Sequence, residues 1–191
     1  MKYFKSILIF LQLWYTVESQ INMASLGIAS QSSTYFGYSI PLTANLAITG
    51  PPTNVFESGS CSHTSDTIYT QAWWMLSFKD TVFVTTVLIF YREGYESRLA
   101  GYYLYVGNTS SPIPSGYLCY HDVGPNLPLM NQTVKCNVLG KNLIIYQKRT
   151  TPIPSNYSKE ATLELCDVQV IAAVLYRTCL EGFKQTYRQI L

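Results

Sequence analysis

Ser60-Cys61-Ser62-His63-Thr64, then Trp73-Trp74, then Thr81-Val82-Phe83-Val84-Thr85-Thr86-Val87-Leu88-Ile89-Phe90-Tyr91, then Arg92-Glu93-Gly94-Tyr95-Glu96-Ser97-Arg98-Leu99 fall within one stretch, residues 60–99. The β-branched and aromatic run at 81–91 is too continuous for an exposed strand, and predicts a central strand buried on both faces. Around it the stretch gathers one of the chain's two histidines, an oxidisable cysteine and two arginines just past the run. Such residues grip a polar ligand or simply hold a small domain together.

Working outward, residues 73–78 alternate Trp73, Met75 and Ser77 against Trp74, Leu76 and Phe78. Residues 101–107 alternate Tyr102, Leu104 and Val106 against Tyr103 and Tyr105, and 142–148 and 161–172 read as further strands. Residues 20–38 read as extended chain and edge strand. Residues 44–48 read as one helical turn, stopped by Thr49-Gly50-Pro51-Pro52, and 53–70 as loop. Loops bearing Pro112, Pro114, Pro125, Pro128, Pro152 and Pro154 separate the strands. Short strands with such connections predict an all-β, antiparallel sandwich or barrel. In the last strand Leu163 and Leu165 share a face while Val168 and Val170 have opposite parity. Either a bulge at Cys166-Asp167 or burial on both faces accounts for that. Beyond it, Val174, Leu175, Thr178 and Phe183 predict a weak helix.

With 191 residues the chain has room for one domain of usual size. Only 13% of residues are charged, 16 tyrosines help bring aromatics to 14%, and the net charge is +2 with no basic stripe, which argues against a nucleic-acid partner. Lys2 and Lys5, the apolar Ile7-Leu8-Ile9-Phe10-Leu11-Gln12-Leu13-Trp14 and the end Val17-Glu18-Ser19 predict a signal peptide over 1–19. That run is too short to span a bilayer, and no later run does so, so the mature chain is expected to be soluble and extracellular. Residues 20–171 then form the domain, and 172–191 a tail or the start of a further module. Of Cys61, Cys119, Cys136, Cys166 and Cys179, the first four are expected to pair, in any of three ways. Cys179 is left for another chain or another module. Sequons at Asn108, Asn131 and Asn156 suit surface loops of a secreted glycoprotein.

Enzymatic readings are weak. Ser62, His63 and Asp66 are triad residue types, but neighbours in one loop rarely hold triad geometry. His121-Asp122 is a proton-transfer pair with no nucleophile beside it. No phosphate loop or zinc spacing occurs.

Taken in order, the motifs resemble those of the F-type lectins, the fucolectin domains. Asn22, Ala24, Ala29, Gln31, Ser32, Ser33 and Tyr35 match the opening Asn-x-Ala and Ala-x-Gln-Ser-Ser-x-Tyr. Asn45-Leu46-Ala47-Ile48-Thr49-Gly50, Cys61-Ser62-His63-Thr64, Trp73-Trp74, Arg98-Leu99-Ala100-Gly101 and the Leu-x-Leu-Cys-(Asp)-Val-x-Val of 163–170 follow in sequence. The match runs from Asn22 to Ile171 and implies a jelly-roll β-sandwich of the galactose-binding-domain-like type. It also implies the pairings Cys61–Cys166 and Cys119–Cys136.

The resemblance further implies a fucose site in which a histidine and two arginines hold the sugar, here His63, Arg92 and Arg98. Arginine's fork donates paired hydrogen bonds to sugar oxygens. Gly94 stands where the family has aspartate, the adjacent cysteine pair is absent, and Tyr95 is the nearest aromatic substitute. The arginines lie one residue closer together than usual, and Met75-Leu76-Ser77 replaces Arg-Val-Asp. A structural calcium ion is implied too, at Leu46 and Pro51 through backbone oxygens, Thr49, Ser60, and Cys166 with Asp167. Thr49 in place of aspartate removes a charge from that set. The expected function is a secreted lectin-like domain binding terminal fucose or a related deoxy-sugar, oligomeric for avidity. The alternative is a sandwich that has lost the sugar and serves as a structural or adhesion module.

Overall fold

The computed structural model describes residues 15–37, 39–57, 59–66, 70–109, 115–178 and 187–189. In chain order the strands are β1 (Tyr15–Asn22), β2 (Ile28–Gln31), β3 (Phe36–Gly37), β4 (Ile40–Pro41), β5 (Ser62–His63), β6 (Gln71–Tyr91), β7 (Tyr102–Gly107), β8 (Tyr117–His121), β9 (Asn131–Lys148), β10 (Glu164–Thr178) and β11 (Tyr187–Gln189). A single 3-10 turn, Ala24–Leu26, and two helical turns, α1 (Leu46–Thr49) and α2 (Glu96–Leu99), interrupt them. Pairing is antiparallel throughout, in the order β1-β10-β6-β9-β7-β8, with β2 on β6 and with β5 and β11 on β10.

Two long strands make this a sandwich. The first part of β6, through Ser77, pairs with β2 and with residues 142–148 of β9; the part from Val82 onward pairs with β10 and residues 131–140. The register breaks between Ser77 and Val82, where Lys79 and Asp80 are exposed, and the ladder turns from one layer into the other. Gly140 sits at this crossing. A Cβ there would lie 2.5 Å from Val106 Cγ1, so β7 could not pass so close to any other residue.

One core fills the space between the layers. Trp74, Leu76, Val87, Ile89, Leu104, Leu143, Ile145, Val168 and Val170 are buried in it. Each such side chain contributes about 1.5–3 kcal/mol relative to exposure. Buried aromatics find partners for their polar ends: Trp74 Nε1 donates to the Ala44 carbonyl at 3.0 Å, and the Tyr91 hydroxyl to Thr162 O at 3.0 Å. Both implied disulfides are present; Cys61–Cys166 ties the 51–62 loop to β10, and Cys119–Cys136 ties β8 to β9.

The 81–91 run is central, as its composition requires, but is not buried evenly. Val82, Val84, Val87, Ile89 and Tyr91 are buried, whereas Phe83, Leu88 and Phe90 are half-buried on the face turned from the core. The parity change in the last strand has both of its physical causes: the ladder to β6 slips between Leu165 and Asp167, and residues 163–168 are buried on both faces. The weak helix read after residue 172 is corrected. Ala172–Thr178 continue β10, because β1 offers an unbroken ladder from Ile21 back to Tyr15. Cleavage after Ser19 would leave Gln20, Ile21 and Asn22 of β1 paired with Ala173, Ala172 and Ile171. Cys179 and residues 1–14 lie outside the described residues. Asn108, Asn131 and Asn156 are exposed, and among the described residues no helix is long and apolar enough to cross a membrane.

Candidate functional site

At one end of the sandwich the opening motif builds a frame. Gln31 Nε2 donates to the carbonyls of Leu42 (3.0 Å) and His63 (3.2 Å), and the Ser32 and Ser33 hydroxyls accept from the amides of Trp73 and Ser65. Tyr35 stacks on His63 with ring centres 4.6 Å apart. Thr64 exchanges two bonds with Leu163: its amide donates to Leu163 O, and its hydroxyl accepts from Leu163 N. These residues set the position of β5, whose His63 is the register partner of Glu164.

Glu164 is the centre of the site. Its side chain is fully buried, and both carboxylate oxygens are taken. His63 Nε2 lies 3.1 Å from Oε2, Arg92 Nη1 donates to Oε2 at 2.5 Å, and Arg98 Nη1 donates to Oε1. Burial alone would raise the Glu164 pKa. The hydrogen bond and charge of His63, the hydrogen bond from Arg92 and the charge of Arg98 outweigh it and hold the group at about 2. The other ring nitrogen of His63, Nδ1, lies 2.5 Å from the Thr64 carbonyl oxygen, so both nitrogens are engaged inside the protein.

The arginines ride on aromatic rings. The Arg92 guanidinium lies 4.1 Å from the Phe56 ring centre and 3.9 Å from that of Tyr95, and Arg98 lies 4.6 Å from Tyr95. Phe56 is brought in by Asn54, whose Nδ2 donates to Tyr91 O at 2.7 Å while its carbonyl accepts from Glu93 N at 2.9 Å. Gly94 takes φ +79°, which gives the Arg92–Arg98 connection its tight turn; aspartate, the family residue, would be strained there. Arg98 is then fixed from behind by β9. Gln147 Nε2 donates to the Arg98 carbonyl, and Arg149, buried, donates to the carbonyls of Arg98 (3.0 Å), Ala100 (2.9 Å) and Ser158 (2.8 Å).

His63, Arg92, Tyr95 and Arg98, the four residues expected to hold a sugar, therefore meet at one place. Sequence reasoning missed Glu164, Arg149 and Gln147. The available signal was a charged residue inside the apolar Leu163-Glu164-Leu165, and two long polar side chains closing a buried strand.

The calcium positions converge in part. Leu46, Thr49, Pro51 and Ser60 line a cavity of about 330 Å³, with Glu57 among the other lining residues. Cys166 and Asp167 are not among its lining residues, and Asp167 accepts from Gln169 at 3.0 Å with its pKa raised by burial. The Ser60 hydroxyl already bonds to the carbonyls of Val55 and Glu57, and that of Thr49 to Asn45 O. With both hydroxyls committed and Glu57 the one acidic residue in the lining, the set is poorer in free oxygen ligands than a tight calcium site, which takes about six to eight. Among the described residues no group of three or more His, Cys, Asp or Glu is placed to hold a metal.

No protein-family model matches the sequence, and no curated protein matches it. Solved structures do match the fold. A fucolectin from the serum of striped bass, Morone saxatilis, aligns with a TM-score of 0.64 and 26% identity over 81% of this chain and 48% of that one. This chain thus spans about half the length of that protein. A fucose-binding module of Streptococcus pneumoniae aligns with a TM-score of 0.61 at 20% identity, covering 79% of this chain and 94% of its own. The lectin domain of lectinolysin, solved with Lewis b antigen, gives 0.59 at 22% identity over 78% and 95% of the two chains. The chain has an F-type-lectin-like β-sandwich fold, in a form well diverged in sequence from those lectins.

Proposed function

We propose that the chain is a secreted, non-enzymatic carbohydrate-binding module that recognises terminal fucose, or a related deoxy-sugar, on glycoproteins or microbial surfaces. The observation that carries this reading is the convergence of Arg92 and Arg98 on one carboxylate over the Tyr95 ring. Each guanidinium commits Nη1 to Glu164, and the side chains remain 20% and 25% exposed, which leaves their other N–H donors for a ligand. Paired donors of that kind match the ring and hydroxyl oxygens of a sugar, and the Tyr95 and Phe56 rings suit its apolar face. His63 acts from beneath, holding Glu164 and through it both forks. The relatives named for fucose binding support the ligand class. The leader-like residues 1–19 and the two disulfides support secretion.

Weak binding at one shallow site calls for several copies, so self-association for avidity belongs to the same proposal, with innate immune or cell-surface glycan recognition as its setting. Calcium is proposed as a weakly held structural ion of the 46–60 loops. When bound, it would cross-link those loops by charge, with Leu46, Thr49, Pro51, Ser60 and Glu57 as the wall residues.

A second reading, a structural or adhesion module without sugar, rests on the same Glu164, which already satisfies one donor of each arginine. A glycan array separates the two. The lectin reading expects binding to fucosylated glycans that free fucose competes away and that Arg98→Ala weakens at least about tenfold, near 1.4 kcal/mol. Array binding that ignores free fucose, or no binding at all, refutes it.

A further inference from the structure

A second cavity, of about 280 Å³, opens beside Gly101 at the base of the Arg98 loop; it is lined by none of His63, Arg92, Arg98 and Glu164, and shares with that site the supporting Arg149. One wall is made by Tyr103 and His121. They are direct partners across β7 and β8, so their rings stack with centres 3.7 Å apart and 13° between planes. Tyr157 lines it too, its hydroxyl donating to Gly124 O at 3.3 Å. Asp122, only 6% exposed, accepts from Gly101 N at 2.7 Å, and Lys148 and Thr150 complete the polar lining.

The difference from the Glu164 site lies in which polar groups remain available. Among the described residues, the imidazole nitrogens of His121, the Lys148 ammonium and the Thr150 hydroxyl have no hydrogen-bond partner. Burial lowers the His121 pKa, against the pull of Asp122, so the ring is neutral at pH 7 and presents one donor and one acceptor. Aromatic surface beside a few convergent donors and acceptors is the chemistry that holds a sugar ring by its C–H face and its hydroxyls. The volume lies near the lower limit of small-molecule pockets, about 300 Å³, which suits one ring rather than two. The Asp122 carboxylate and the Arg149 guanidinium of the lining are both committed to backbone partners, so the polar groups left for a ligand are the His121 nitrogens, the Lys148 ammonium and the Thr150 hydroxyl, which suit a ring's hydroxyls.

We propose that this cavity is a second saccharide subsite that takes one neutral pyranose ring. It stands apart from the fucose reading, because its ligand contacts come from Tyr103, His121, Lys148, Thr150 and Tyr157. Arg149 links the two places structurally. It lines the cavity while donating to the carbonyl of Arg98.

The test is an NMR titration of the full chain with the methyl pyranosides of galactose, glucose and mannose at tens of millimolar, with methyl fucoside and glucuronate as separate arms. At least one neutral pyranoside is expected to shift the ring signals of His121 and Tyr103. His121→Ala and Lys148→Ala should each weaken that binding about tenfold or more, while Arg98→Ala leaves it unchanged. Lys148 is exposed, so its variant decides the matter if the His121 variant does not fold. Three results overturn the proposal: no neutral pyranoside moves those signals, Lys148→Ala binds as the wild type does, or glucuronate binds better than every neutral sugar. A fucoside arm that leaves the Arg98 surroundings unmoved counts against the fucose reading alone.

Discussion

Glutamine at position 164 keeps the volume of the side chain and removes the charge that Arg92, Arg98 and His63 share. In the native protein, burial pushes the Glu164 pKa up, but its hydrogen bonds and charge interactions with His63, Arg92 and Arg98 hold it at about 2 against an ordinary 4.5. At about 1.4 kcal/mol per pH unit, that gap corresponds to about 3 kcal/mol of folding stability. The folded pKa lies below the unfolded one, so this contribution is complete above pH 4.5 and is lost as the pH falls from 4.5 to 2. Glu164→Gln forfeits it at neutral pH and has nothing to titrate in that window. For a chain of this size each kcal/mol moves Tm by about 2–4 °C, so the variant should melt about 6–12 °C below wild type at pH 7. The other carboxylates titrate in both proteins, so the difference between the two melting curves should close as the pH approaches 2. Circular-dichroism melts of both proteins at pH 7, 5, 3 and 2 measure it. A gap of similar size at every pH, or one under about 2 °C at pH 7, would show that Glu164 is not held by these charges.

Three further outcomes can be checked on the same protein. Replacing both Cys61 and Cys166 by serine opens a loop spanning a sequence separation of 105 and should cost about 4–5 kcal/mol, seen as a Tm lowered by roughly 10 °C or more; an unchanged Tm would refute it. Arg149→Met retains apolar packing but frees the carbonyls of Arg98, Ala100 and Ser158; fucose affinity should drop at least about tenfold, and unaltered affinity would mean the Arg98 loop holds itself. Calcium at about ten times a millimolar Kd should add about 1.4 kcal/mol, raising Tm by a few degrees in a way EDTA reverses, and a Tm indifferent to both removes the ion from the 46–60 loops.

Much of the fold was legible because period and parity are properties of neighbouring residues. The alternation at 73–78 and 101–107, the stop at Gly50-Pro51 and the parity change at Cys166 each rest on a few adjacent side chains. Strand β8 and the first half of β9 were not legible. Tyr117–His121 is an edge strand with no buried face, and residues 131–141 alternate Lys135, Asn137 and Lys141 with only Val134, Cys136 and Gly140 buried. Their places come from the ladders with β7 and β6, contacts that no local pattern announces. The tail failed for the same reason: Val174 and Leu175 fit a helix as readily as a strand until β1 supplies the pairing.

The site divides along the same line. His63, Arg92 and Arg98 were visible through ordered motifs, since each sits at a fixed offset from a framework residue such as Cys61, Tyr91 or Leu99. Glu164 was not visible, because a single carboxylate between Leu163 and Leu165 reads as the solvent face of an alternating strand. That reading assumes one wet face. Here that face is not wet: His63, opposite it in the ladder, and Arg92, whose amide donates to Glu164 O at 3.1 Å, bring their side chains onto the carboxylate together with that of Arg98. A buried carboxylate in that position is tolerable only if cations surround it, since an unpaired one costs several kcal/mol. The converse also holds. Arg92 and Arg98, one residue closer together than in the fucolectin pattern and without its aspartate at position 94, still present their forks side by side because Glu164 draws one nitrogen of each onto its two oxygens. The departures in the loop and the carboxylate in the strand are thus one arrangement, and a substitution at either end should be felt at the other.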